Sequence, residues 1–251
     1  DDIFGRVVAD MLRDQCVDVS ALQVRPGKVT SQTLIVNVTG QDRRFIHTFG
    51  ANADFSTDDI VLRDDCKVLY LGGYFIMDRI HPGELGKLFA HARQKGIRTV
   101  LDVVTPGPAD YLPRLLPVLP HVDVFLPNDH EAHLITGLSD PVDQAKKFHD
   151  LGAKTSIITM GDRGSILMGE GVRLHAGTYA MPFVDGTCGG DAFAAGYIAG
   201  MLRGWGPEDC LRIGSAVGAS CVRAIGTTTG VFTHQECEDF IHSHPLSIKH
   251  F

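Results

Sequence analysis

The chain of 251 residues is 44% apolar and 21% charged, proportions of an ordinary globular protein that exclude wholesale disorder, collagen-like repeats and coiled coils. Its 23 Lys and Arg against 30 Asp and Glu give a net charge of -7, which offers nucleic acid no clustered cations to bind. No apolar run is long enough to span a bilayer, and the opening DDIFGR is unlike a signal peptide, so a soluble, cytoplasmic protein without a membrane partner is expected.

Residues 3–13, IFGRVVADMLR, space their apolar side chains as an amphipathic helix does, with no evident cap before them. The β-rich runs 32–38 and 44–49 flank Thr39, Gly40, Gln41 and Asp42, the pattern of a hairpin. From Lys67 onward strands alternate with helices: strands are expected in KVLYL, RTVLDVV, VDVFL and TSIITM, helices in PGELGKLFAHARQKG, YLPRLLPVL, NDHEAHLI and residues 142–151. A second hairpin is expected through 165–168 and 172–175, and helices over 189–203, 207–223 and 235–242 close the chain. Such alternation predicts βαβ units, hence a parallel sheet covered by helices on both faces. No repeat or flexible linker interrupts it, so residues 1–251 read as one α/β domain with a small β excursion near its start. The six cysteines (Cys16, Cys66, Cys188, Cys210, Cys221 and Cys237) include no CxxC pair and are expected to be free thiols.

Chemistry concentrates in residues 184–200, VDGTCGGDAFAAGYIAG, where a glycine pair opens a helical pattern. Backbone N–H groups in the first turn of a helix lack intrahelical acceptors, and the helix dipole adds positive potential, so Cys188, Gly189 and Gly190 suit an anion such as phosphate. Asp191 beside them has two readings: a helix-capping carboxylate, or the acceptor of a proton from a group that attacks phosphate. Asn128 and Glu131, three residues apart at the head of a helical run, form a capping pair. His130 and His133 stand one residue too close for a zinc-binding HExxH helix and have no obvious third ligand, so zinc is not expected. Neither a Walker A loop nor a dinucleotide GxGxxG in its usual place is present.

The string from Asp185 to Phe193 resembles the C-terminal signature of the ribokinase or PfkB family of carbohydrate kinases, written DTxGAGDxF. Asp185, Thr187, Gly190, Asp191 and Phe193 agree with it, whereas Gly186, Cys188 and Gly189 depart by small side chains at backbone-donor positions. Further pieces lie in family order: Asn128 and Glu131 of an N-x-x-E motif, Thr159, Gly161 and Gly164 of a nucleotide-binding strand and turn, and GANA at 50–53.

The resemblance implies a ribokinase-like three-layer α/β sandwich with a mainly parallel central sheet and a small β-lid within residues 22–50. It implies an ATP-dependent kinase that phosphorylates a hydroxyl of a sugar or sugar-like molecule, with Asp191 as base and the N–H groups of Cys188, Gly189 and Gly190 around the phosphoryl group. Asn128 and Glu131 then have a second reading, near magnesium and its waters. Adenosine falls between 159–164 and the helix near Ser215 and Ala219. Asp185 and Thr187 resemble a loop that holds a monovalent cation, potassium in many relatives. Asn52, Gly72 and Gly73 are the candidate substrate contacts, and the lid is the candidate homodimer contact.

Asp102 stands where relatives often carry Asp-Pro-Asn, but Val103 and Val104 replace the rest. The first strand, Gly-Gly element and sugar-binding Asp that open family members have no counterpart, so the chain is expected to lack that strand region. Two alternatives stay open: a non-catalytic sugar- or nucleotide-binding regulator of the same fold, and a nucleoside kinase. A nucleotide-linked oxidoreductase is weaker, for want of the fingerprint.

Overall fold

The computed structural model describes residues 1–36 and 44–251. The expected hairpin turn at Thr39 to Asp42 lies outside them.

Helix α1 (Ile3–Asp14) does have a cap: Asp2 accepts the Gly5 N–H at 2.8 Å. Thr30 ties the same carboxylate down through its N–H at 2.8 Å and its hydroxyl at 2.6 Å. These hydrogen bonds hold the Asp2 pKa down at about 2. Strands β1 (Gln32–Val36) and β2 (Arg44–Thr48) pair antiparallel with Leu34 opposite Ile46, both more than 60% exposed. Among the described residues of the expected 22–50 excursion, regular strand covers Gln32–Val36 and Arg44–Thr48, and residues 22–31 carry no strand structure.

The main sheet runs β3 (Val68–Leu71), β4 (Arg98–Leu101), β5 (Val124–Phe125), β6 (Thr155–Thr159), β7 (Ser165–Gly169), β8 (Val172–Ala176) and β9 (Ile248–His250), in that spatial order. β3 to β6 are mutually parallel, and β7 to β9 extend the sheet antiparallel. The intervening helices are α2 (Pro82–Gln94), the short α3 (Leu112–Leu115), α4 (Asp129–Thr136) and α5 (Pro141–Asp150). Helices α6 (Gly189–Leu202), α7 (Pro207–Cys221) and α8 (His234–Ser243) follow.

Successive strand residues point to opposite faces, and here both faces are apolar. Leu101, Phe125, Ile158 and Ile166 join Leu85, Phe89, Ala132 and Phe148 in one core under α2, α4 and α5. Their neighbours Val100, Val124, Ile157 and Leu167 join Phe193, Tyr197, Leu211 and Ile213 in another under α6 and α7. Each such buried Leu, Ile, Val or Phe side chain contributes roughly 1.5–3 kcal/mol. A sheet with a core on each side is a three-layer sandwich, the expected class.

Candidate active site

The four parallel strands end along one edge, and ligands of open α/β sheets bind outside the carboxyl ends of their strands. Gly72 and Gly73 follow β3 there, Asp102 follows β4, Asn128 lies just beyond β5, and Gly161 follows β6. Backbone bonds lock these turns side by side. Asp102 donates its N–H to Leu71 at 2.9 Å and accepts from Tyr74 at 3.2 Å, while Thr159 donates to Pro127 at 3.2 Å, making a parallel bridge between Asn128 and Thr159.

The start of α6 is fixed from the far side. Val184 and Asp185 both donate their N–H to the Val222 carbonyl, at 2.8 and 3.1 Å, and Asp185 Oδ1 accepts the N–H and hydroxyl of Thr187 at 3.1 and 2.8 Å. The helix cap position falls to Cys188, held at φ 60 in the left-handed region, which costs a residue with a side chain about 1–3 kcal/mol. Asp191 is therefore the third residue of the helix rather than its cap. Gly189 donates to Gly186 at a long 3.4 Å, and the N–H groups of Gly190 and Asp191 have no acceptor among the described residues. Apart from its chain neighbours and the helix's own backbone, no described residue has a heavy atom within 4 Å of the place a Cβ would take on Gly190, so the turn is open at that position.

Two further acidic groups lie near enough to feel the charge of Asp191. Asp102 accepts the Val103 N–H on Oδ1 at 2.8 Å and the Tyr70 hydroxyl on Oδ2 at 3.3 Å. Desolvation first, then the charges of Glu131 and Asp191, holds its carboxyl well above the usual carboxylate range. Glu131 closes the expected capping box: Asn128 Oδ1 accepts the Glu131 N–H at 2.8 Å, and Glu131 Oε2 accepts the Asn128 N–H at 2.9 Å. Burial pushes the Glu131 carboxyl up to about 7, Asp191 adding to the effect, although bonds from Asn128 and Thr105 pull the other way.

That displacement has a sign. The unfolded chain releases this proton near 4.5 and the folded protein near 7, so between those values the folded state binds more protons and stability falls as pH rises. Glu131→Gln keeps a capping-box side chain and removes the slope. Its thermal midpoint relative to the parent protein, measured without nucleotide or metal, should climb from pH 5 to pH 8. Parallel curves would show that Glu131 is not held protonated.

On the nucleotide side of the expected site, Gly161–Arg163 forms a single 3-10 turn after β6, closed by Met160 donating to Gly164 at 2.8 Å. Arg163 pairs with Asp129 at the head of α4. Ser215 and Ala219 are both buried on α7. Asn52 lies exposed on the turn Gly50–Asp54, whose ion pairs run from Asp54 to Lys28 and Arg79. Sequence reasoning singled out neither Tyr70 nor Thr105; a tyrosine one residue before the end of a strand that runs into Gly-Gly was the available signal.

Among the described residues no group of three or more His, Cys, Asp and Glu side chains is arranged to hold a metal ion by itself. Magnesium rarely demands one: it keeps most of its waters and takes one or two carboxylates plus substrate phosphates. The mutually repelling Glu131, Asp102 and Asp191 facing an open anion site fit that mode of binding. No helix among the described residues is long and apolar enough to cross a membrane.

A family model described as pfkB family carbohydrate kinase matches residues 1–234. A cytidine kinase of Thermococcus kodakarensis is 32% identical over 206 residues, 79% of this chain and 70% of its own. A ribokinase of Haemophilus influenzae is 25% identical over 96% of this chain and 78% of its own. Among solved structures, the aminoimidazole riboside kinase of Salmonella enterica, complexed with aminoimidazole riboside and an ATP analogue, superposes with a TM-score of 0.82. It shares 22% identity over 96% of this chain and 83% of its own, which speaks for the fold.

Proposed function

The chain belongs to the pfkB family of carbohydrate kinases, a phosphotransferase with an alcohol acceptor, and on that premise we propose that it transfers the γ-phosphoryl group of ATP to a hydroxyl of a sugar or nucleoside. The observation that carries this reading is the open first turn of α6, with unpartnered N–H groups and Asp191 at its rim. Phosphoryl transfer asks a protein mainly to position reactants and to offset charge. The N–H groups of Gly190 and its neighbours Cys188 and Gly189 face the transferring oxygens. The acceptor oxygen bonds to the γ-phosphorus as the bond to the β-phosphate oxygen breaks, and Asp191 takes the acceptor's proton.

Asn128 and Glu131 would hold magnesium through its waters; the ion, when bound, offsets charge on the phosphates. Thr159, Gly161 and Gly164 line the nucleotide, with Ser215 and Ala219 behind it. Asp185 and Thr187 are the candidate seat of a potassium ion. Gly72, Gly73 and Asn52 face the acceptor. Residues 1–251 act as one domain, and the exposed Leu34 and Ile46 of the lid hairpin form the surface for a second copy.

The test is ADP release on incubation with ATP, magnesium and a panel of sugars and nucleosides; binding of ATP and acceptor without ADP release would instead make the protein a regulator. A sharper check comes from Gly190→Ala. Alanine is favoured over glycine inside a helix by about 1 kcal/mol and meets nothing here, so the thermal midpoint should hold or rise. Its methyl group stands in the open space before the donors, so kcat/KM for ATP should fall at least roughly tenfold, a little over 1 kcal/mol of barrier. Unchanged kinetics would place the phosphoryl group elsewhere.

A further inference from the structure

Tyr70 is assigned no part in the reaction above, yet it lies beside Asp102 and Gly72 near the carboxyl end of β3. Its side chain lies across the backbone of Gly72, where an added Cβ would come within 2.8 Å of the phenol oxygen and 3.1 Å of the ring carbon bearing it. The hydroxyl donates to Asp102 Oδ2 at 3.3 Å. The residue is 38% exposed. A phenol has one proton to donate and lone pairs to accept with. While that proton bonds Asp102, the oxygen's lone pairs are left for a donor such as a hydroxyl.

We propose that Tyr70 binds the acceptor, accepting a hydrogen bond from a hydroxyl other than the one phosphorylated, and thereby selects polyhydroxylated acceptors over their deoxy analogues. This rests on the kinase reading for the identity of the acceptor. The lack of a side chain at Gly72 then serves Tyr70: it lets the ring lie flat enough to reach Asp102. A site built to bond a hydroxyl discriminates strongly against a ligand without it, because its buried polar groups are left unpaired.

The experiment measures binding by calorimetry, with and without turnover, of cytidine, 2′-deoxycytidine, 3′-deoxycytidine, D-ribose and 2-deoxy-D-ribose to the parent protein, Tyr70→Phe and Gly72→Ala. The parent protein should bind a fully hydroxylated compound roughly tenfold tighter than one of its deoxy analogues. Tyr70→Phe should lose that preference while binding the disfavoured analogue and ATP as the parent does, at an unchanged thermal midpoint. Gly72→Ala, which displaces the phenol, should lose the same preference, its binding of ATP alone staying as in the parent. Equal preference in Tyr70→Phe and the parent, or uniform weakening of every compound, overturns the assignment even where turnover upholds the kinase reading. Binding without ADP release defeats the kinase reading and leaves the Tyr70 comparison intact. Failure of the parent to bind any of the five defeats both.

Discussion

Asp191→Asn should abolish most turnover, lowering kcat by about 10²–10⁴-fold, the range expected when a positioned general base is lost. That is about 2.7–5.4 kcal/mol of barrier. The folding consequence is far smaller. Asp191 is the third residue of α6 and exposed, so its carboxylate contributes to stability mainly through the helix dipole, about 0.3–1 kcal/mol. Asparagine is nearly isosteric and keeps a carbonyl oxygen toward the same turn. The two readings of this residue therefore separate on two measurements. A base predicts collapsed kcat, an ATP affinity close to the parent's and a thermal midpoint within a few degrees; a helix-end charge predicts a small midpoint shift with kcat untouched. An Asn variant that turns over at the parent rate would remove Asp191 from the chemistry.

Much of this arrangement could be read from the sequence because it is local. The Asn128–Glu131 box needs only a spacing of three, and α6 declares its start by a glycine pair followed by a helical pattern. The long strands and helices follow from periodicity, with ends shifted by a few residues. What escaped is made by tertiary partners. β9 has a single apolar residue, Ile248, and is a strand only because it pairs with β8. The run 111–119 reads as one helix but breaks after Leu115, where Pro117 lacks the N–H a continuing helix would use, and a 3-10 turn follows at Leu119–His121. The Tyr70–Asp102 bond joins residues 32 apart on adjacent strands, and no local pattern announces it. Asp2 as cap is by contrast a local signal, an Asp immediately before the helical run, to which Thr30, 28 residues on, adds a tertiary tie.

The turn after β6 separates backbone demand from packing demand, and a pair of alanine substitutions should expose the difference. Gly161 and Gly164 both sit at positive φ, 60 and 85, where a side chain is strained. Around Gly161 the space is open, whereas a Cβ on Gly164 would stand 2.0 Å from the Ala176 carbonyl oxygen and within 3 Å of two Gly177 atoms. These are backbone atoms of the segment that leaves β8, so relief requires the turn and that segment to part. Gly161→Ala should cost about 1–2 kcal/mol, from the left-handed backbone alone. Gly164→Ala adds overpacking and should cost about 2–5 kcal/mol, a thermal midpoint lower by roughly 5–15 °C for a domain of this size. Because Gly164 closes the turn against Met160, the surviving folded fraction should also bind ATP more weakly, while acceptor binding at the β3 and β4 ends stays as in the parent. Equal midpoints for the two variants would mean that the β6–β7 turn yields without disturbing the sheet, and an ATP affinity unmoved by Gly164→Ala would take this turn out of the nucleotide site.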